Sequence, residues 1–449
     1  MRIGTNVAAI VANNALQKSQ NNLSTSIERL SSGYKINGSK DDAAGCAISE
    51  KMRAQIRGLS QAQNNTADGV SVLNTAEGAI TEIQSMLTRL KELSVQAAND
   101  VNSDDEREAI QKEIEQINNE IDRISDQTEF NTQSLINGNL SRRVYSDFQG
   151  VNQLSVSDSY TAGVYGITVT EDARQAIAVG AGSITMSSTA SITEEQAGAI
   201  NINGYKISIS EGDTLDKVMG KIIDGVNITG GSAFTVKDLN NDTAANGTDY
   251  AGYVPTADYA GSTLVIMTNQ YGSDQKMNIT CDNAELADIL GIPQAATQDG
   301  IYVEGSDVKA EIATGDDGKR IGFADSAILS TKGTVITVTD VNNKEFSMDV
   351  PGNAAGTVFD DSNNDGQSVA GAGTARTISQ EVTDVGTMSI HVGANQDQVI
   401  VIDIPAITTY SLGTEHMNVM TQYTASRAIS TVDEAINKTN KIRSRIGAY

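Results

Sequence analysis

Residues 103–125 read SDDEREAIQKEIEQINNEIDRIS, and the fold class turns on how this stretch behaves. Isoleucine recurs at 110, 114, 117, 121 and 124, a 4-3-4-3 spacing that lays one apolar stripe along a helix, with the heptad period of a coiled coil. Ser103 followed three positions later by Glu106 makes a capping box, in which the serine oxygen accepts from the Glu106 backbone N–H and starts the helix there. Asn131 and Asn137-Gly138 punctuate its end. Upstream, a pattern running from about residue 44 to 99 carries Leu73, Ala76, Ile80, Ile83, Leu87, Leu90 and Ala97 in a near-heptad seam. The turn between the two patterns is about four residues long, so the second helix folds back antiparallel on the first.

Working outward, residues 5–34 form a further amphipathic pattern through Leu16, Leu23, Ile27, Leu30 and Tyr34, and Gly33 with Gly38 breaks it. Helical periodicity returns near the other end with Ile429, Val432, Ile436, Ile442 and Ile446. Between them, from about 141 to 405, short alternating runs of Val, Ile and Thr broken by Gly, Asn and Asp read as β-structure. Ile200–Ile209 reads as a hairpin turning at Asn203-Gly204, Asp213–Ile223 as a short helix after it, and Met388–Ile404 as a second hairpin. The fold class is therefore α+β and multidomain: a long antiparallel coiled-coil-like helical core built from both chain ends, with a β-rich insertion. A helix with an apolar seam is unstable as a lone rod, because each Å² of exposed apolar surface costs about 25 cal/mol. The helices of the two ends must bury one another. Residues 1–34 have no evident partner within the chain, so Leu16, Leu23, Ile27 and Leu30 are expected to meet other subunits in a polymer.

The composition restricts function. The 449 residues include no Trp and 4% aromatics, so burial is spread over many small and aliphatic side chains. The net charge of −25 divides as +4 over residues 1–40, −10 over 41–140, +2 over 406–449 and hence −21 over 141–405. An acidic surface of that size repels nucleic acid and anionic membranes, so neither is an expected partner. Cys46 and Cys281 give no disulfide framework, and neither His391 nor His416 has a ligand at metal spacing. The N-terminus lacks a secretory signal, and no run of about eighteen apolar residues is present to span a membrane. An extracellular role therefore requires an export route that leaves the N-terminus intact. There is no phosphate-binding glycine loop and no nucleophile elbow, and Asp41-Asp42 reads as a helix cap rather than an acid–base pair. No enzyme activity, cofactor or metal is expected.

Ser32-Gly33-Tyr34-Lys35-Ile36-Asn37 with Lys40-Asp41-Asp42-Ala43-Ala44-Gly45 closely resembles the bacterial flagellin signature at which the first core helix ends and the next begins. Arg89–Ala97, Glu120–Ser125, the Val392–Asn395 hairpin and Thr431–Ile436 resemble flagellins again, in the expected order, so that residues 1–140 and about 386–449 are covered. Residues 198–223 look like the small β-β-α module inserted in many flagellins. The resemblance implies an extracellular flagellar filament subunit, used in motility, exported unfolded by the flagellar type III apparatus and assembled beneath the cap. It implies four parts: residues 1–40 in an inner tube, 41–140 and 386–449 in the helical core, and 141–385 as a variable outer region holding an insertion-like module at 198–290. It implies recognition by host Toll-like receptor 5 through Arg89, Leu93 and Glu113. Typical flagellins continue past Tyr449 into the rest of a long C-terminal helix and a final helix that pairs with residues 1–40, so the resemblance implies a C-terminally truncated chain. A hook–filament junction protein, the alternative, shares the terminal helices but usually diverges over Lys40–Gly45 and Arg89–Gln96, which match flagellins here. A secreted enzyme with flagellin-like helices would need a catalytic cluster within 141–385 that the sequence does not show.

Overall fold

Three helices open the chain in the computed structural model: α1 Val7–Ser32, α2 Ala43–Ala97 and α3 Asp104–Gln127. The structure describes residues 6–157, 160–180, 182–236, 259, 261–292, 300–315, 318–340, 344–352, 354, 359–360, 369–370, 375–383 and 385–449. Residues 1–5 of the expected inner-tube segment, which include the first residue of the helical pattern 5–34, and residues 237–258 and 260 of the expected module therefore lie outside the described residues. Two units follow from the packing: Met1–Ser71 with Ser389–Val401, and Val72–Met388 with Ile402–Tyr449.

In the first unit, the Asn6 side chain caps α1 by accepting from the Ala9 N–H at 3.3 Å, and Gly33 ends it at φ 74°, a left-handed position that suits glycine. Asp42 accepts from the Gly45 N–H at 2.9 Å, the helix-capping role expected of it, and Asp41 accepts from the Asn37 N–H at 3.1 Å. The hairpin of Met388–His391 and Val399–Ile402 forms where the alternation indicated. It lies against α2, where the Asn65 amide donates to the His391 carbonyl at 3.1 Å. Gly58 and Gly69, eleven residues or about three turns apart, make that approach possible. A Cβ at Gly58 would stand 3.1 Å from the Ala394 Cβ, and one at Gly69 would stand 2.4 Å from Ile390 Cδ1.

The second unit contains the helical core. Ser103 and Glu106 form the capping box, with the Ser103 N–H donating to the Glu106 carboxylate at 2.8 Å. At the α2–α3 turn the buried Arg107 donates to the Ala97 and Asn99 carbonyls, each at 3.2 Å, and so closes the exposed end of α2. The C-terminal helix α7, Gln422–Ala448, joins the same core. Gln84 meets Asn440 at 3.0 Å, Lys91 meets Asp433 at 2.6 Å, and Arg443 meets Glu77 at 3.2 Å. The expected union of helices from both ends of the chain is therefore present.

The seams differ in detail from the periodic reading. On α2, Val72 is buried and Leu73 half-buried, while Ala76, Ile80, Ile83, Leu87, Leu90 and Ala97 lie inside as expected. On α3, Ile110, Ile114 and Ile121 are buried, but Ile117 and Ile124 are half-buried, and Asn118 and Ser125 take the interior positions. Ser125 donates to the Ile136 carbonyl at 3.2 Å, and for Asn118 the reason is a second neighbour. Residues 405–420 run along α3, so the Asn118 amide donates to the Thr414 carbonyl at 2.8 Å, Gln111 donates to the Met417 carbonyl at 3.0 Å, and Asp122 accepts from the Thr409 N–H at 2.8 Å. Buried polar side chains there satisfy irregular backbone that an isoleucine would leave unpaired. On α7, Ile429, Ile436 and Ile442 are half-buried, whereas Ala425, Ala428, Val432, Ala435, Thr439 and Ile446 form the inner face. Small residues let the helices approach closely and push the bulkier isoleucines to the flanks.

The middle segment is mostly, but not wholly, antiparallel β-sheet. Strands Lys309–Ile312, Gly163–Glu171, Arg376–Val382 and Val144–Ser146 form one four-stranded sheet, and Ile328–Lys332, Val335–Thr339, Glu345–Asp349 and Asn152–Val156 form another. Their shared core centres on Tyr160, Tyr165, Phe323 and Phe346, with ring centroids 5.1–6.1 Å apart. A third four-stranded sheet, Ile301–Glu304, Lys276–Cys281, Gly198–Ile202 and Tyr205–Ile209, contains the expected hairpin, with Asn203 at φ 50° and Gly204 at φ 90° in its turn. Helix α4 runs Leu215–Ile228, five residues beyond the expected end at 223, and two further short helices, α5 and α6, span Ala284–Ile289 and Thr409–Leu412. Gly225 explains the extension: a Cβ there would stand 2.5 Å from Ile207 Cδ1, so glycine lets the helix lie flat on the hairpin. The buried cluster around α4 also draws in Ala176, Ile184, Ile192 and Ile292, beyond the boundaries 198–290.

Candidate interaction surfaces

Two surfaces carry the residues singled out in the sequence. The first lies in the first unit. None of the α1 side chains is buried, yet Leu16, Leu23, Ile27 and Leu30 recur at spacings of seven, four and three. They remain 58%, 61%, 58% and 87% exposed. Periodicity missed a second group: Ile48, Met52, Ile56 and Leu59, at 4-4-3 spacing on the opening turns of α2, are all more than half exposed. That spacing was visible in the sequence, but the stronger seam beyond residue 72 overshadowed it. Helix α1 carries only Lys18, Glu28 and Arg29 as charged groups, so nothing electrostatic opposes a like surface brought against it.

The second surface lies on α2 and α3 in the second unit. Arg89 and Glu113, 24 residues apart, are brought together by the antiparallel pairing of the helices: the guanidinium and carboxylate stand 2.7 Å apart, and Glu92 approaches Arg89 at 3.2 Å. Both Arg89 and Glu113 are solvent-exposed. The hydrogen bond that the Arg89 guanidinium donates to Glu113, then the one that it donates to Glu92, holds it further above its ordinary range. Leu93 does not join them at the surface. It is 1% exposed, turned into the helical core one turn along from Arg89, and it supports the surface from beneath rather than presenting a side chain. The four-residue spacing puts both residues on one side of the helix, yet Leu93 is buried while Arg89 stays exposed.

Among the described residues, no three His, Cys, Asp or Glu side chains group to hold a metal, and no helix is long and apolar enough to cross a membrane. His391 and His416 are both exposed.

Residues 3–141 match the family described as the bacterial flagellin N-terminal helical region. Among curated relatives, a flagellin of Clostridium tyrobutyricum is 40% identical over 239 residues, covering 46% of this chain and 63% of the relative. A flagellin of Salmonella typhimurium is 34% identical over 336 residues, covering 71% of this chain and 64% of the relative. The chain thus spans less than two thirds of the length of these relatives. Among solved structures, the flagellar cap protein FliD of Escherichia coli aligns at TM-score 0.30 and 12% identity, covering 81% of this chain and 69% of that one. FliC from Burkholderia pseudomallei aligns at TM-score 0.24 and 14% identity, covering 85% and 98%.

Proposed function

We propose that this chain, similar to flagellins over residues 3–141 and to relatives named flagellin, is a structural subunit of the extracellular flagellar filament rather than an enzyme. The observation that carries this reading is α1: an amphipathic helix of 26 residues with no buried side chain. An apolar stripe left in water within the chain is stabilised by burial against further copies. In this reading Leu16, Leu23, Ile27 and Leu30 make contacts between subunits, and Ile48, Met52, Ile56 and Leu59 extend them. Residues 1–40 line the inner tube, 41–140 and 386–449 form the surrounding helical layer, and the acidic 141–385 segment faces outward. The export apparatus delivers the subunit and the cap receives it. The relatives carry the flagellin name, so the junction-protein alternative is not favoured.

A second role, recognition by Toll-like receptor 5, rests on the exposed Arg89–Glu113 pair, with Leu93 holding the two helices in register below it. Electron microscopy tests the filament reading. Chain seeded on flagellar filament fragments elongates them, and the same chain lacking residues 1–40 stays monomeric. Equal elongation by the deleted form refutes the proposed role of α1, and failure of the whole chain to elongate seeds refutes the subunit reading.

A further inference from the structure

Two adjoining cavities in the second unit share Asn203, Lys276 and Tyr423 and lie where the 198–209 hairpin and its neighbouring strands meet the α2–α3 turn and the start of α7. Their volumes are about 370 and 490 Å³, within the range of small-molecule sites. Three tyrosines, Tyr205, Tyr302 and Tyr423, line the first, and Tyr302 is 54% exposed with the Lys276 ammonium 5.6 Å from its ring centre. The side-chain amides of Asn278 and Gln422 also line it and make no hydrogen bond to other described residues. Aromatic faces beside unused amides suit a ligand with apolar ring faces and many hydroxyl groups.

Charge narrows the class. Arg107 has Asp100 at 4.0 Å and Asp104 at 3.9 Å, and Lys276 has Glu304 at 2.8 Å. Arg427 is different. It lines the second cavity half-buried and donates to the neutral Gln275 amide oxygen at 3.2 Å, with no carboxylate in ion-pair reach among the described residues. A half-buried guanidinium with a neutral partner has donors left for a carboxylate. In a chain of net charge −25, that cation is an exception to the surrounding field.

We propose that this cleft binds an acidic oligosaccharide of the uronic-acid class, its carboxylate on Arg427 and its sugar rings against Tyr302 and Tyr423. The proposal concerns the monomer, and none of these residues lies on α1. Calorimetric titration of the whole chain with a hyaluronan tetrasaccharide tests it, with the neutral chitin tetrasaccharide and inorganic sulfate as comparisons. Saturable binding of the acidic sugar, at least tenfold tighter than the neutral one, is expected. Arg427→Gln removes that preference, and Tyr302→Ala, at an exposed position that the fold does not need, weakens the acidic sugar about tenfold. No saturable binding by millimolar sugar overturns the proposal. So does sulfate that displaces the sugar at equal concentration while Tyr302→Ala has no effect, because the cleft is then an anion site alone. Sugar affinity unchanged in both variants, each folded by circular dichroism, also overturns it.

Discussion

Replacing Leu23 and Ile27 together with aspartate separates folding from assembly. Both side chains project from α1, where no residue is buried, and they remain 61% and 58% exposed. Full burial of a Leu or Ile side chain contributes roughly 1.5–3 kcal/mol, so at these exposures each retains about 1–1.8 kcal/mol for a contact outside the chain. Losing both removes about 2–3.5 kcal/mol per subunit, which raises the critical concentration for seeded growth about 30- to 300-fold at 1.4 kcal/mol per decade. A carboxylate carried into an apolar contact raises it further, because desolvating a charge without a partner is unfavourable. The monomer should scarcely notice: exposed substitutions away from special features change stability by about 0.5 kcal/mol or less. Sedimentation of polymer against monomer concentration reads the first quantity and thermal unfolding by circular dichroism the second. A double variant with an unchanged critical concentration refutes the assignment of this stripe to subunit contacts. One that loses several kcal/mol of monomer stability refutes its exposure.

The receptor surface makes a paired prediction. Arg89→Ala lowers reporter-cell signalling through Toll-like receptor 5 with an unchanged melting temperature, since its ion pair is exposed and such pairs contribute about 0–1 kcal/mol. Leu93→Ala destabilises the monomer by about 2–5 kcal/mol through the cavity it leaves; an unchanged dose response for Arg89→Ala or an unchanged melt for Leu93→Ala contradicts the surface described. Ala435→Leu, on the buried face of α7, costs about 1–3 kcal/mol by overpacking, and a stability gain in chemical denaturation would show that the face is not closely packed. Tyr160 governs alkaline stability. Burial first, then the Asp340, Tyr165 and Glu345 charges, pushes its phenol from 10.0 up to about 12. The folded state therefore binds this proton more tightly than the unfolded state, so the associated stability is fully present below pH 10 and is lost as pH rises to about 12, about 2–3 kcal/mol in all. Its hydroxyl is buried without a hydrogen-bond partner among the described residues, so Tyr160→Phe should flatten the decline without weakening the fold at neutral pH; a Phe variant with the same alkaline slope excludes Tyr160 as its source.

Much of the architecture was legible in the chain. The Ser103–Glu106 box, the Asn203-Gly204 turn, the Asp42 cap and the breaks at Gly33 and Gly38 act over three or four residues, where local chemistry decides the outcome. Heptad spacing likewise located the α2 seam, because residues three and four apart on a helix share a face whatever surrounds it. The unpartnered stripe of α1 followed from the same rule.

Periodicity could not say which neighbour each face would meet. Asn118 is buried in place of Ile117 because residues 405–420 arrive from nearly 300 positions away carrying carbonyls that need donors, whereas Ser125 is buried in place of Ile124 because its hydroxyl donates to the Ile136 carbonyl just beyond the helix. The small residues of α7 face inward because interhelical distance, not hydrophobicity, sets the inner face. Leu93 went inside while Arg89, one turn earlier, stayed out and met Glu113 on α3, a partition that the packing of the helices makes and the spacing alone does not. The sequence by itself determined the helices, the turns and the charge that keeps the middle segment in water. Tertiary structure alone decided which side chains those helices hide and which they present, because burial belongs to pairs of surfaces and no single stretch of chain encodes both.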